Sequence, residues 1–279
     1  MQASICFWSS CVLVYNATGF MFFGGGIMPA HTHRIAFFAT CLVDQFLPEV
    51  GVAAVRLLRA AGYTPEFPRQ QTCCGQPFLN SGLRDEALRL ARRTMEIFAP
   101  YDYVVLPSGS CASMLRVHYP HLFKGEDTWE ERALELAART YELTEFLVHV
   151  ADWRPSSQGT SLRVTYHDSC HMYRMLRLHD EPRTLLRAAG VEIAEMPESD
   201  RCCGFGGVFS VRVPEVSNAI TADKLKEAVE TRAEVLVTAD PGCLIQMRGM
   251  LRGAPIRVEH VAWVLANVMG LMEDNHETS

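Results

Sequence analysis

The sequence predicts an α/β protein made of two tandem, pseudo-symmetric halves, each built on a parallel sheet with cysteines at the carboxyl ends of its strands. Three observations carry that expectation. A cysteine pattern occurs twice: Cys41, Cys73, Cys74-Gly75 and Cys111, then Cys170, Cys202, Cys203-Gly204 and Cys243. The first gap is the same in both copies, 41 to 73 and 170 to 202, and the last differs by three residues, 74 to 111 against 203 to 243. The flanks repeat as well. Arg34-Ile35-Ala36-Phe37-Phe38-Ala39-Thr40-Cys41 aligns with Arg163-Val164-Thr165-Tyr166-His167-Asp168-Ser169-Cys170, and the run 103–111 aligns with 235–243. Finally, strand-like and helix-like segments alternate, which makes the topology Rossmann-like.

The elements follow in order. The apolar run 34–40 reads as a strand, and Val50, Val52, Ala53, Leu57 and Leu58 mark a helix over 46–61 that stops at Gly62. A helix over 83–98 follows the first cysteine pair, and the all-apolar 103–106 reads as a strand buried on both faces. Residues 129–150 read as helical, and Arg154-Pro155-Ser156-Ser157-Gln158-Gly159-Thr160 as a linker. The order then recurs: strand 162–167, helix 181–189 ending at Gly190, strand 191–193, helix 215–230 and strand 235–239. A last helix is expected over 259–272. The implied domains are 34–153 and 161–279, preceded by an extension over 1–33.

That extension has no charged residue from Ile5 to Met28. Such a run is long enough for a bilayer, but no Lys or Arg precedes it, and Asn16, Thr18 and Gly24-Gly25-Gly26 dilute it. A membrane span is therefore not expected. The competing readings are a misassigned start, with Met28 the initiator, and a real extension; Cys6 and Cys11 lie outside both repeats and read as incidental.

Composition narrows the function. With 279 residues and 48% hydrophobic content the chain has ample material for buried cores. A net charge of −6 without a basic block argues against nucleic acid as a partner. Ten cysteines in so large a core point to reduced thiols rather than a disulfide scaffold, and a vicinal pair is a poor disulfide element.

Ligands of an open α/β sheet gather at strand carboxyl ends, where Cys41, Cys111, Cys170 and Cys243 are placed. The two Cys-Cys-Gly loops add Cys73, Cys74, Cys202 and Cys203, with Gly75 and Gly204 permitting a turn that a side chain would block. Four thiolates are thus expected to converge in each half. Close C-x₂₋₄-C knuckles typical of structural zinc are absent. Long-range ligands plus an adjacent pair suit an iron–sulfur cluster, with four cysteines the usual count for [4Fe–4S] and one or two clusters per chain.

These residues resemble a family. Cys, Cys-Cys-Gly, Cys at this spacing is similar to the duplicated cysteine-rich CCG domain found in heterodisulfide reductase, in the iron–sulfur component of glycolate oxidase and in lactate utilization proteins. Within it, Gln71-Thr72-Cys73-Cys74-Gly75-Gln76-Pro77, Asp200-Arg201-Cys202-Cys203-Gly204-Phe205-Gly206-Gly207 and Pro241-Gly242-Cys243 most resemble the lactate utilization protein A group. The resemblance covers about residues 34–270. It implies a cytoplasmic iron–sulfur oxidoreductase component that works with two partner proteins, one carrying ferredoxin-type clusters, to oxidise L-lactate to pyruvate. It also implies that the eight repeated cysteines hold the cluster. One departure stands out: the heterodisulfide type closes each motif with C-x-x-C, whereas Ser108 and Asp240 occupy those positions here. Its non-cubane clusters are not carried over. Two other classes stay open, a heterodisulfide-reductase-like thiol–disulfide reductase component and a non-redox zinc-binding scaffold.

No catalytic residue is assigned, but three are candidates. His167 and His171 bracket Cys170, where an imidazole would tune a cluster or donate a proton; polar packing is the plainer reading. Asp240 reads as an oxygen ligand or, preferably, as a loop residue. His260, ahead of an apolar helix, would cap that helix or line the crevice. Gly204-Phe205-Gly206-Gly207 lacks dinucleotide spacing, and the methionines of 172–196 and 247–272 read as core filler.

Overall fold

Among the described residues, seven short strands form two all-parallel sheets. The computed structural model describes residues 33–156, 159–251 and 253–272. The expectations placed on residues 1–32, including Met28, Cys6 and Cys11, lie outside them.

The first sheet has the order β1 (Ile35–Phe37), β2 (Tyr103–Leu106), β3 (Thr140–Glu142). In the second, β4 (Arg163–Tyr166), β5 (Glu192–Ile193), β6 (Val235–Thr238) and β7 (Arg257–His260) take the order β5-β4-β6-β7. Registers repeat the duplication. Val105 lies beside Phe37 and Val237 beside Tyr166, while Leu106 pairs Glu142 where Thr238 pairs His260. The extra edge strand β5 has a vestige in the first half, a lone parallel bridge between Ala36 and Glu66. The central strands are apolar because helices cover both faces: Val104, Val105, Leu106, Val235, Leu236 and Val237 are all buried.

The helices behave as their periodicity dictates. Pro48–Ala60 opens with proline at its first position, where the missing N–H is no loss, and buries Val50, Ala53, Ala54, Leu57 and Leu58. Val52, expected on that face, is exposed instead, because at 100° per residue it falls off the stripe set by 50, 53, 54 and 57. Arg84–Phe98, Asp180–Ala188 and Pro214–Glu230 lie within a residue or so of expectation. Gly62 and Gly190 end their helices in the left-handed conformation.

Two strands depart from the sequence expectation. β3 interrupts the expected helix 129–150, leaving Asp127–Ala138 before it and a short helical turn, Leu143–Glu145 and Phe146–Val150, after it. β7 takes the start of the expected helix 259–272, which narrows to Val261–Val268. Both are short edge strands with polar residues, Thr-Tyr-Glu and Arg-Val-Glu-His, and their pairing partner lies far away in sequence, so no local period announces them. Each ends on a residue that caps the next helix. Glu142 accepts from the Thr144 N–H (2.7 Å), and His260 Nδ1 accepts from the Ala262 N–H (3.1 Å).

The described residues cluster as one compact unit. Val261–Val268 packs on Pro48–Ala60. Arg56 donates to the Leu271 carbonyl (2.7 Å), and Arg248 pairs with Glu49 (3.4 Å). No helix among the described residues is long and apolar enough to cross a membrane.

Candidate metal centre

Each repeat delivers its cysteines by the same backbone devices. Cys41 opens the helix Cys41–Phe46 after β1, and Cys111 sits in Gly109–Ser113 after β2. Cys170 immediately precedes a π-helical turn, His171–Leu176, and Cys243 lies in Pro241–Gly249 after β6. The adjacent pairs come from loops whose glycines, Gly75 and Gly204, both have φ of 90°. That conformation turns each glycine N–H back onto the first sulfur of its pair: Gly75 donates to Cys73 Sγ and Gly204 to Cys202 Sγ, both at 3.4 Å. The second cysteine's carbonyl is held differently in the two halves, by Tyr119 Oη on Cys74 (2.7 Å) and by Thr221 Oγ1 on Cys203 (2.8 Å).

The sulfurs gather closely. Cys41 and Cys73 lie 3.7 Å apart, Cys74 and Cys111 3.3 Å, and Cys203 and Cys243 3.0 Å. All eight are free thiols. A cavity of about 170 Å³ between the halves is lined by Cys41, Cys74, Cys111, Cys170, Cys202, Cys203 and Cys243, with Leu42, Pro77 and Phe205 supplying apolar wall. Cys73 opens with Cys41 into a neighbouring groove beside Arg69 and Gln71. The sulfur contacts stay within each half, and both sets open onto one common cavity. The strand carboxyl ends of the two sheets face each other, so both quartets meet at one cavity.

Mutual contact governs the thiols' protonation. In the first half, Cys73 is the thiolate side: Cys41 and Cys74 donate to it and hold it well below the usual thiol range, against burial. Cys41 and Cys74 are pushed up, Cys41 by its contact with Cys73 and by burial, Cys74 by Cys111, Cys73 and burial. In the second half burial raises Cys170, and contact with Cys203 together with burial raises Cys202. Thiolates crowded together without a cation cannot all ionise; a metal relieves that constraint.

The three candidates occupy different places. Asp240 is a buried loop residue that caps the helix Pro241–Gly249. Its Oδ1 accepts from the Gly242 N–H (3.0 Å), and its Oδ2 accepts from the Ser110 N–H of the first half (2.7 Å). Ser108, at the equivalent position, caps the first-half helix by accepting from the Cys111 N–H (3.3 Å). His171 lines the cavity, 3.7 Å from Cys170 Sγ and 3.2 Å from Gln76 Nε2. His167 is fully buried, neither ring nitrogen has a hydrogen-bond partner, and its ligand atom lies within 4.8 Å of the Cys203 and Cys243 sulfurs. Burial first, and then the Lys224 charge, lower it to about 4. His260 caps the last helix.

Sequence reading missed Gln76 and Ser110, which join the halves, and Thr40. Gln76 Nε2 donates to the Ser110 carbonyl (3.1 Å). Thr40 has φ of 65° and a buried, unpartnered Oγ1 on the cavity wall. Only the repeat alignment, which sets Ser110 against Gly242, hinted at any of this. The donor set fits an iron–sulfur group: four reduced thiols per half, long-range in sequence and walled by apolar side chains.

Comparison with known proteins identifies relatives of the duplicated cysteine pattern. The cysteine-rich domain family CCG matches twice, over residues 35–116 and 164–248. Lactate utilization protein A of Geobacillus kaustophilus (strain HTA426) is 47% identical over 237 residues, covering 83% of this chain and 98% of that protein. The protein of the same description from Halalkalibacterium halodurans is 43% identical over 235 residues, covering 83% and 96%. A hypothetical protein from Helicobacter pylori shares the fold, with a TM-score of 0.63 at 11% identity over 88% of this chain and 50% of that one.

Proposed function

This chain belongs to the lactate utilization protein A family, with its duplicated CCG cysteine-rich domain, and on that premise we propose that it is the iron–sulfur component of a multi-protein system oxidising L-lactate to pyruvate. The observation that carries the proposal is the single cavity between the halves, lined by seven of the eight repeated thiols. When bound there, an iron–sulfur group supplies one-electron transfer.

The chain's own residues have distinct tasks. The eight cysteines hold the group, and the Gly75 and Gly204 N–H groups stabilise thiolate charge on Cys73 and Cys202. Leu42, Pro77 and Phe205 exclude water, while Asp240 fixes Ser110 and Gly242, and with them the helices that carry Cys111 and Cys243. Oxidising a 2-hydroxy acid releases two electrons, and the sequence has no flavin or nicotinamide motif. The substrate step is therefore assigned to partner proteins, of which the family resemblance implies two, one with ferredoxin-type clusters, and this chain relays the electrons.

Full-length protein purified anaerobically tests the reading. Iron and acid-labile sulfide in comparable amounts are expected; stoichiometric zinc without sulfide overturns it. A deletion strain is expected not to grow on L-lactate as sole carbon source. Normal growth, with no other lactate dehydrogenase present, removes the substrate assignment.

A further inference from the structure

The two halves do not offer the same donors. At the residue three positions before the first cysteine, the first half has Phe38, buried and packed on Phe98 at 5.0 Å between ring centroids. The second has His167, equally buried. An apolar ring is at home there. An imidazole is not, because a neutral ring carries one N–H donor and one acceptor nitrogen, and both nitrogens of His167 are enclosed without a hydrogen-bond partner. A buried donor or acceptor left unmet is costly, and the nearby Ser199 carbonyl can only accept, so it meets at most the ring's N–H and leaves the acceptor nitrogen without a protein donor. What the surroundings do supply is sulfur. Among the described residues, His167, Cys203 and Cys243 are brought together with one ligand atom each, all within 4.8 Å of one another. The backbone holds the histidine there firmly, since its N–H donates to the Val237 carbonyl (2.8 Å) in continuation of the β4–β6 pairing.

We propose that His167 is a nitrogen ligand of the second-half centre, joining Cys203 and Cys243, so that the chain's two halves bind chemically inequivalent centres. The inference rests on the iron–sulfur reading and deepens it. Replacing a thiolate by neutral imidazole removes one negative charge from a centre, and histidine in place of cysteine raises the potential of an iron–sulfur site. The second-half centre is then the easier of the two to reduce. Electrons entering the pair settle on it, which gives the relay a direction that two identical halves lack.

The test uses anaerobically purified full-length protein in its paramagnetic state. Pulsed electron paramagnetic resonance is expected to show a directly bonded nitrogen coupling that changes when histidine is supplied with heavy nitrogen, which needs no substitution and so no assumption about folding. The coupling is expected to persist in His171→Gln and in the first-half variant Cys73→Ser, and to vanish in His167→Phe, which copies the first half. A redox titration of His167→Phe is expected to show the higher of two midpoint potentials shifted downward. Loaded protein without a histidine coupling, or a coupling lost in His171→Gln instead, overturns the assignment. Metal analysis of the same sample keeps the two claims apart: protein holding zinc and no sulfide defeats the iron–sulfur reading, whereas iron and sulfide without histidine coupling defeats only the ligand.

Discussion

Gly75 and Gly204 are equivalent in the repeat and share the same φ of 90°, yet their replacement by alanine is expected to differ in cost. A left-handed backbone costs an L-residue about 1–2 kcal/mol. At Gly75 that is the whole penalty, because an added Cβ would stand 3.4 Å from the Ala87 carbonyl, an ordinary contact. At Gly204 the same Cβ would stand 2.5 Å from both the Ser217 carbonyl and Thr221 Oγ1. Neither atom retreats freely. Thr221 Oγ1 holds the Cys203 carbonyl and the Ser217 carbonyl, and Ser217 Oγ holds the Gly204 carbonyl. Overpacking of this kind adds about 1–3 kcal/mol, and each buried hydrogen bond given up adds about 1 kcal/mol. Gly204→Ala is thus expected to cost roughly 3–6 kcal/mol against about 1–2 kcal/mol for Gly75→Ala. At about 2–4 °C per kcal/mol, melting of chelator-treated, reduced chain separates the two. Equal shifts, or a larger one for Gly75→Ala, would refute the steric argument and leave backbone strain as the only cause.

Other substitutions probe the same frame. Asp240→Ala strands the Ser110 and Gly242 N–H groups and is expected to cost about 2–4 kcal/mol in urea unfolding, more than the roughly 1 kcal/mol of Ser108→Ala, which loses a single cap. Arg183 is buried and forks onto Asp168 (2.8 Å to each oxygen), so Arg183→Met leaves that buried carboxylate with His179 at 3.6 Å in place of the fork, at about 3–5 kcal/mol, and adding Asp168→Asn should recover part of the loss. The equivalent caps Glu142 and His260 give opposite pH responses. Burial pushes Glu142 from 4.5 up to about 8, so its contribution to stability is full below pH 4.5 and is lost as pH rises toward 8; Glu142→Gln should flatten that loss. Burial lowers His260 from 6.5 to about 4, so stability is present above pH 6.5 and is lost as pH falls toward 4, a decline that His260→Asn should flatten. Urea midpoints measured across that range check both signs.

Much of this architecture is written in local sequence. β2 and β6 are apolar runs with no other plausible home, and Gly62 and Gly190 mark helix ends that the backbone conformation bears out. The duplicated cysteines alone are enough to place the thiols at strand ends. What escaped depends on chain segments distant in sequence. β3 and β7 exist because β2 and β6 offer free edges, not because Thr-Tyr-Glu or Arg-Val-Glu-His prefer extension. The fusion of two quartets into one cavity follows from how the halves pack, which no period within either half encodes. Asp240 illustrates the limit well: aspartate before Pro-Gly reads as a turn residue, and only the approach of Ser110 makes it a bridge.

The cavity wall also sets an order in time. Its thiols are spread from Cys41 to Cys243, and the helix that clamps the halves, Val261–Val268, is near the end of the chain. At about 5–20 residues per second on the ribosome, roughly 10–40 s separate the synthesis of the first wall cysteine from that of the last. Once Cys111 has been made, the first quartet waits until Cys243 for the opposing wall that will cover it. A copy broken off between Cys111 and Cys170 therefore presents four reduced sulfurs to oxygen with no second wall over them.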